Sequence, residues 1–231
     1  MELLRGLKHV SFDLWLTLIK SDPVFKPLRN QLFARYFDIS RPAETVTQAF
    51  RYFDLLFNRI NEKTGGNLQQ TEMLYLILDH LGVSIETITA GDMQGYYHEM
   101  EQLFFRHHPQ LIDKGTVTVL QAIKDQGCSV NILSNTGFIL GSTLRQLLPV
   151  LGIGSYFDFQ VYSDETGCSK PSADMYDQVW TRVKQYGTVV KEEVLHVGDN
   201  AIADYNGAQQ FGFRSVLVDT QHNLLSNLFS N

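Results

Sequence analysis

The sequence is poor in cysteine, in basic residues and in long apolar runs. Its 231 residues include 2 cysteines, Cys128 and Cys168, too few for a disulfide framework, so the reducing cytoplasm is the expected location. The 19 Lys and Arg against 25 Asp and Glu give a net charge of −6, which argues against nucleic-acid binding because phosphate-backbone binders need a basic face. No stretch approaches the ~20 apolar residues of a membrane span, and the first residues lack a secretory apolar segment. With 44% hydrophobic residues, the composition predicts a folded globular chain.

Four short apolar runs each end at a polar residue. The first, Val10–Phe12, stops at Asp13, and the later ones stop at Ser134, at Asp199 and at Asp219. Such runs predict buried strands, and helical patterns lie between the later ones. The alternation predicts an α/β fold with a parallel sheet and helices on both faces. Ligands of such sheets bind beyond the carboxyl ends of the strands, which is where these polar residues fall.

The stretch from residue 21 to residue 108 has helical periodicity and no convincing strand. Its apolar stripes with helical spacing are Val46, Phe50, Phe53, Phe57 and Ile60; then Met73, Leu74, Ile77, Leu78 and Leu81; then Met93, Tyr97, Met100 and Phe104. We therefore expect a helical bundle inserted after the first strand. The predicted division is a core of residues 1–20 and 109–231 and an inserted cap of residues 21–108.

Polar elements at the predicted strand ends combine carboxylates, a hydroxyl and an ammonium group. They are residues 13–17, 134–137, 170–171 and 198–204. If they converge, the mixture fits the handling of a dianionic group. Asp13 would attack a phosphorus or carbon centre, since carboxylates serve as nucleophiles. Lys170, together with Mg²⁺ held by Asp199, would supply the positive charge that two approaching anions need.

The segment after the second strand supplies hydrogen-bond donors in this scheme. The Ser134 hydroxyl and the backbone N–H groups of Asn135, Thr136 and Gly137 would donate to phosphoryl oxygens as charge spreads in the transition state. We therefore expect these residues to contact the substrate.

These elements, in this order and with an inserted helical bundle, resemble the haloacid dehalogenase superfamily of hydrolases. The resemblance covers the whole chain and implies a Rossmann-like core with an inserted helical-bundle cap. It implies that Asp13 is the nucleophile, that Thr17 steadies its loop, that Ser134 donates to phosphate oxygens and that Lys170 neutralises charge. The metal ligands that it implies are Asp13, the main-chain carbonyl of Trp15, Asp199 and Asp204, the last as a ligand or as an acid beside the ligands.

Trp15 departs from the pattern of the phosphatases in this superfamily. They carry a second aspartate two residues after the nucleophile, which serves as general acid and then as general base. Such assistance contributes typically about 10²–10⁴-fold, so an ordinary phosphatase without it would be slow. The 2-haloacid dehalogenases have a tyrosine there, because a halide leaves without a proton. They also dispense with the metal, whereas residues 198–204 keep the acidic spacing of the metal-dependent members.

The leading prediction is Mg²⁺-dependent hydrolysis of a small anionic phosphate ester. The first alternative is carbon–halogen hydrolysis through an ester on Asp13, which would need a cation to receive the substrate carboxylate. Arg29 and Arg41 lie in the cap region, but their spacing identifies neither as that cation. The second alternative is a weakly active or inactive regulatory protein that binds phosphate and metal. Trp15 has a purely structural interpretation as a large side chain between core and cap, and His196 has one as a hydrogen-bonded core histidine.

Overall fold

The computed structural model describes residues 2–219 and 224–229 of the 231-residue chain. The strands, in chain order, are β1 (His9–Phe12), β2 (Ile19–Lys20), β3 (Gln110–Leu111), β4 (Ser129–Ser134), β5 (Phe159–Tyr162), β6 (Val194–Gly198) and β7 (Arg214–Leu217).

The helices alternate with these strands in the second half of the chain and dominate the first half. They are α1 (Phe25–Tyr36), α2 (Ala43–Thr64), α3 (Gln70–His80), α4 (Ala90–Arg106), α5 (Thr116–Asp125), α6 (Gly141–Val150), α7 (Ser163–Thr166), α8 (Ala173–Val183), α9 (Gly207–Phe211) and α10 (Leu225–Phe229). A π-helical stretch, Ala201–Asn206, leads into α9. Short 3₁₀ turns lie at Glu2–Leu4, Ile85–Thr87, Gly154–Tyr156, Lys184–Tyr186 and Lys191–Glu193. None of the helices in the described ranges is long and apolar enough to cross a membrane.

Five strands form a parallel sheet in the order β5-β4-β1-β6-β7. In the central strand β1, Phe12 lies opposite Ile132 of β4 and Val197 of β6. Successive side chains point to opposite faces, so Ile132 joins the apolar cluster that includes α5 and α6 residues, whereas Leu133 joins the one that includes α8 residues. The α/β fold and the strand at each predicted position are confirmed.

Strand β5 and helix α6 are among the core elements that the sequence does not predict. Strand β5 is at the sheet edge, and its short run Phe159–Tyr162 is interrupted by the polar Gln160. Helix α6 begins at Gly141 and contains Pro149 near its end, so its sequence lacks strong helix-forming residues at both ends. Short, mixed patterns of this kind give weak periodicity, and the tertiary contacts decide the structure.

The helical segment α1–α4, which the periodicity predicts, lies between β2 and β3, which it does not predict. These two strands pair antiparallel, with Ile19 opposite Leu111, so the segment leaves and rejoins the rest of the chain at adjacent points. Most residues of the three stripes are buried, although Ile60 remains 36% exposed. In α4 the rings of Tyr96 and Phe104 are fully buried, whereas Tyr97 is half-buried and its hydroxyl lies 2.9 Å from Thr143 Oγ1 of α6.

Candidate active site

Asp13 lies immediately beyond the central strand, at the carboxyl edge of the sheet. Its backbone N–H donates to the Val197 carbonyl at 2.9 Å, which fixes the start of the loop against β6. The residue as a whole is 6% exposed. The Thr17 hydroxyl donates to Asp13 Oδ2 at 3.0 Å, so Thr17 holds one carboxylate oxygen in place while Oδ1 faces Lys170.

Lys170 joins two buried carboxylates. Its Nζ lies 2.7 Å from Asp13 Oδ1 and 2.6 Å from Asp204 Oδ1, and its side chain is 2% exposed. The backbone of Lys170 is held by one amide side chain: its N–H donates to Asn135 Oδ1 at 2.8 Å, and its carbonyl accepts from Asn135 Nδ2 at 3.0 Å. Asn135 therefore connects the loop after β4 to the loop that contains Lys170.

Asp204 is engaged through both of its oxygens. In addition to the Lys170 contact, Oδ1 lies 3.1 Å from His196 Nε2, and Oδ2 accepts the backbone N–H of Asn200 at 3.0 Å. His196 is itself buried in β6, with Nδ1 3.0 Å from Ser11 Oγ. The carboxylate therefore has a fixed orientation and holds the Lys170 ammonium beside Asp13.

Three carboxylates converge at this edge. Asp13, Asp199 and Asp204 each present an oxygen atom within 4.8 Å of the others. Hard divalent cations such as Mg²⁺ prefer carboxylate and carbonyl oxygens, so this donor set fits such an ion. Asp199 is half-buried and, within the described chain, forms no ion pair with a basic side chain, so its charge is available to a cation.

The protonation of these groups reflects burial and crowding. Burial raises the pKa of Asp13 to about 7 and that of Asp199 to about 6, and the neighbouring Asp204 charge adds to both effects. Burial opposes ionisation of Asp204 as well, but the Lys170 charge and the His196 hydrogen bond outweigh it and hold the pKa of Asp204 well below its usual range. Burial likewise opposes the charged form of Lys170, but the two carboxylates prevail and raise its pKa. Extra positive charge would favour ionised Asp13.

The last residue of β4 and the residues that follow it form different hydrogen bonds. Ser134 is fully buried at the end of the strand, and its hydroxyl donates to the Asn135 carbonyl at 3.3 Å. The backbone N–H of Thr136 donates to Ser163 Oγ at 2.8 Å, and the Thr136 hydroxyl donates to Asp164 Oδ1 at 2.8 Å. Thr136 thus anchors the segment to the residues that follow β5.

A cavity of about 270 Å³ separates the loop after β1 from helices α1 and α2. Trp15 and Leu16 line one side, and Asn135 and Gly137 line another. Leu16 has φ of 61°, a left-handed conformation uncommon for leucine, and its side chain is 56% exposed. The half-buried Trp15 side chain is therefore a wall of this cavity, and an indole offers neither a general acid nor a general base.

The sequence does not show how three further residues take part in the site. His196 is the hydrogen-bonded core histidine of the structural interpretation, yet its partner is Asp204. Asn200 orders the acidic loop and also donates to Glu62 Oε1 of α2 at 2.8 Å, joining the helical segment to the site. Arg29 reaches the cavity from α1. Alternation along β6 indicates that His196 is inward-facing, but no sequence signal identifies the residue that it meets.

A parallel sheet with carboxylates and a lysine gathered at its carboxyl edge defines a class of hydrolases. Residues 7–212 match the family model of the haloacid dehalogenase-like hydrolases, so the chain belongs to that family. The protein is therefore a hydrolase of this family.

Its relatives include different activities. Glyceraldehyde 3-phosphate phosphatase of Methanothermobacter thermautotrophicus is 28% identical over 222 residues, which cover 93% of this chain and 87% of that protein. (S)-2-haloacid dehalogenase 2 of a Pseudomonas species is 29% identical over 111 residues, 48% of this chain and 45% of that protein. The chain spans about half or less of the length of several other curated relatives. The magnesium-bound structure of YfnB from Bacillus subtilis shares the fold, with a TM-score of 0.69 at 21% identity and coverage of 95% and 92%.

Proposed function

We propose that the protein is a Mg²⁺-dependent phosphatase that acts on a small anionic phosphate ester, with Asp13 as the nucleophile. One observation carries the proposal: the buried Lys170 ammonium contacts Asp13 Oδ1 at 2.7 Å, and oxygens of Asp199 and Asp204 lie within 4.8 Å of an Asp13 oxygen. Three carboxylates exceed the charge of one ammonium group. Their excess negative charge calls for a divalent cation, as does the approach of a phosphoryl dianion.

Mg²⁺ would be held by Asp13, Asp199 and the main-chain carbonyl of Trp15, and it would neutralise charge on the phosphoryl oxygens. Both oxygens of Asp204 already accept hydrogen bonds, so in this proposal Asp204 acts chiefly by positioning the Lys170 ammonium rather than by binding the metal.

The chain's own residues support two displacement steps. An Asp13 oxygen forms a bond to phosphorus as the bond from phosphorus to the leaving-group oxygen breaks. The leaving-group oxygen takes a proton from solvent. Water then attacks phosphorus, which releases inorganic phosphate and restores the Asp13 carboxylate. Lys170 and Ser134 donate to the oxygens on which negative charge accumulates. Because Trp15 transfers no proton, esters with weakly basic leaving groups are the favoured substrates.

The helical segment, residues 21–108, would serve as a cap over this site. Two contacts close to Asp199 and Lys170 support this role: the Asn200 amide donates to Glu62 Oε1, and the Ser169 N–H donates to the Gly65 carbonyl at 2.9 Å.

Both cysteines are free thiols, which agrees with a cytoplasmic location.

A second candidate, carbon–halogen hydrolysis, is supported by the aromatic Trp15 wall of the cavity. In that reaction the Asp13 oxygen would form a bond to carbon as halide leaves, and water would then cleave the resulting ester. A regulatory protein with little turnover is the third candidate, because the site has the ligands for metal and phosphate without the usual acid–base aspartate.

The test measures phosphate release from a panel of phosphate esters and chloride release from 2-chloropropionate, each with Mg²⁺ and with chelator. Asp13→Asn is the test variant, and Asp22→Asn, a surface-loop carboxylate that accepts from Val24 N, is the matched control. We expect phosphate release that requires Mg²⁺ and Asp13 and persists in the control. Phosphate release that survives chelation or Asp13→Asn contradicts the proposal, and chloride release favours the second candidate. A melting temperature raised by Mg²⁺ and phosphate without turnover favours the third.

A further inference from the structure

Arg29 is a buried cation without a carboxylate partner. It lies on α1 with 6% exposure, and its Nε and Nη2 both donate to the neutral Asn30 Oδ1, at 3.1 and 2.8 Å. Within residues 2–219 and 224–229, no acidic side chain lies within 4.0 Å of it. By contrast, Arg35 on the same helix is exposed and pairs with Glu99. Arg29 therefore keeps N–H donors that no anion of the described chain uses.

The surroundings of Arg29 compensate its charge only in part. The guanidinium carbon lies 4.1 Å from the ring centroid of Phe50 and 4.9 Å from that of Phe138. Such cation–π contacts are favourable, but an unpaired buried charge still costs stability. A well-packed apolar side chain of similar volume would be at least as stable in this place. The arginine is thus better explained by a ligand than by packing.

The position of Arg29 gives that ligand a place. Arg29 lines the cavity of about 270 Å³ that also borders Trp15, two residues after the nucleophile, and Asn135, next to Ser134. The other charged residues of the lining are Lys26 and Asp54, so the lining carries two positive charges and one negative charge. Asp54 faces the same space and would repel an anion weakly, but the balance still favours an anionic occupant.

We propose that Arg29 binds a carboxylate at the non-reacting end of the substrate, a specificity that rests on the phosphatase function proposed above for the reacting end. A planar guanidinium matches the two oxygens of a carboxylate, and a water-poor aromatic setting strengthens the contact. The cavity is at or below the small end of the usual range for ligand sites, about 300–1,000 Å³, so the substrate is small. The substrate class is therefore a short phosphorylated carboxylic acid. A 2-haloacid also carries a carboxylate, so the experiment below distinguishes a phosphorylated carboxylic acid from a haloacid as the substrate.

The test uses two esters of equal chain length, 3-phosphonooxypropanoate and propyl phosphate, with wild type, Arg29→Met, Arg29→Lys and Arg35→Met. We expect wild type to favour the carboxylate ester in kcat/KM by about 10- to 100-fold, the range of one charged hydrogen-bonded pair. Arg29→Met brings this ratio near 1, chiefly through KM, and Arg29→Lys restores part of it. The surface control Arg35→Met keeps the wild-type ratio. Arg29→Met also melts at the wild-type temperature or higher, because it removes an unpaired charge.

Several results overturn the inference. The first is a wild-type kcat/KM that is the same for the two esters. The second is an Arg29→Met variant that loses kcat/KM equally on both esters. The third is a lower melting temperature of that variant, which a structural role of Arg29 would give. Both esters have strongly basic alkoxide leaving groups, so if neither is hydrolysed, the ester panel above decides the phosphatase proposal separately. The melting-temperature shifts that the two esters produce then test Arg29 directly. A larger shift with the carboxylate ester, absent in Arg29→Met, supports the carboxylate site, and equal shifts refute it. If chloride is instead released from 2-chloropropionate, an Arg29→Met defect in KM assigns the carboxylate to a haloacid, and an unchanged KM refutes the site.

Discussion

Replacing Lys170 by methionine separates the buried charge arrangement from ordinary surface pairing. Lys170 Nζ contacts Asp13 and Asp204 at 2.7 and 2.6 Å, with side-chain exposures of 2% for the lysine, 9% for Asp13 and 2% for Asp204. Removing one partner of a buried ion pair leaves charge without compensation and costs about 3–5 kcal/mol. At about 2–4 °C per kcal/mol for a chain of this size, we expect the melting temperature to fall by roughly 6–20 °C.

The chain contains a control with the same distance and a different environment. Lys124 Nζ lies 2.8 Å from Asp158 Oδ2, but the two side chains are 30% and 25% exposed. Solvent-exposed pairs contribute about 0–1 kcal/mol, so Lys124→Met shifts the melting temperature by no more than a few degrees. Because the distances are nearly equal, the difference between the two variants measures the combined effect of burial and of the second carboxylate that Lys170 contacts.

The pH dependence of Lys170→Met has a definite sign. With the ammonium gone, the pKa of Asp13, already raised to about 7 by burial, rises further above its unfolded value. Such a group stabilises the fold below its unfolded pKa, and that contribution is lost as the pH rises. Wild type and variant differ in this respect only where wild-type Asp13 ionises, so urea unfolding should show a deficit relative to wild type that grows as the pH rises through about 7. A deficit no larger than that of Lys124→Met, or one that shrinks as the pH rises, refutes this reasoning.

Three other changes test separate parts of the account. Trp15→Asp supplies a general acid, so phosphate release from alkyl esters should rise by up to about 10²-fold, and a folded variant with unchanged activity contradicts this. Burial lowers the pKa of His9 to about 4, so wild type loses up to about 3 kcal/mol of stability as the pH falls from about 6.5 to about 4, because the unfolded chain takes up the proton first. His9→Gln should remove that slope in urea unfolding, and an unchanged slope contradicts the assignment. His196→Gln should lower kcat more than KM because it loosens Asp204, and a change confined to KM contradicts a positioning role.

The carboxyl edge of the sheet was predictable because parallel strands place their ends together. Asp13, Ser134 and Asp199 each follow a buried apolar run, and the sheet order brings them to one edge. The partners of Thr136 were not predictable, because Ser163 and Asp164 follow the edge strand β5, whose mixed sequence gives no strand signal. The Thr136 N–H, which the sequence predicts to donate to the substrate, donates to Ser163 Oγ instead.

Contacts between distant parts of the chain were equally hidden from the sequence. The pairing of His196 with Asp204 depends on how the π-helical stretch folds back over β6, and the cavity around Arg29 depends on how α1 and α2 lie over the loop after β4. Periodicity predicts which face of an element is buried. It does not identify the side chains that meet across two such faces.

The most direct test of the central claim is rapid acid quenching of the enzyme during turnover of a phosphate ester with Mg²⁺, followed by mass spectrometry of its peptides. The account predicts one added phosphoryl group on the peptide that contains Asp13, and no adduct in Asp13→Asn. A phosphoryl group on another residue, or undiminished phosphate release by Asp13→Asn, would contradict the account.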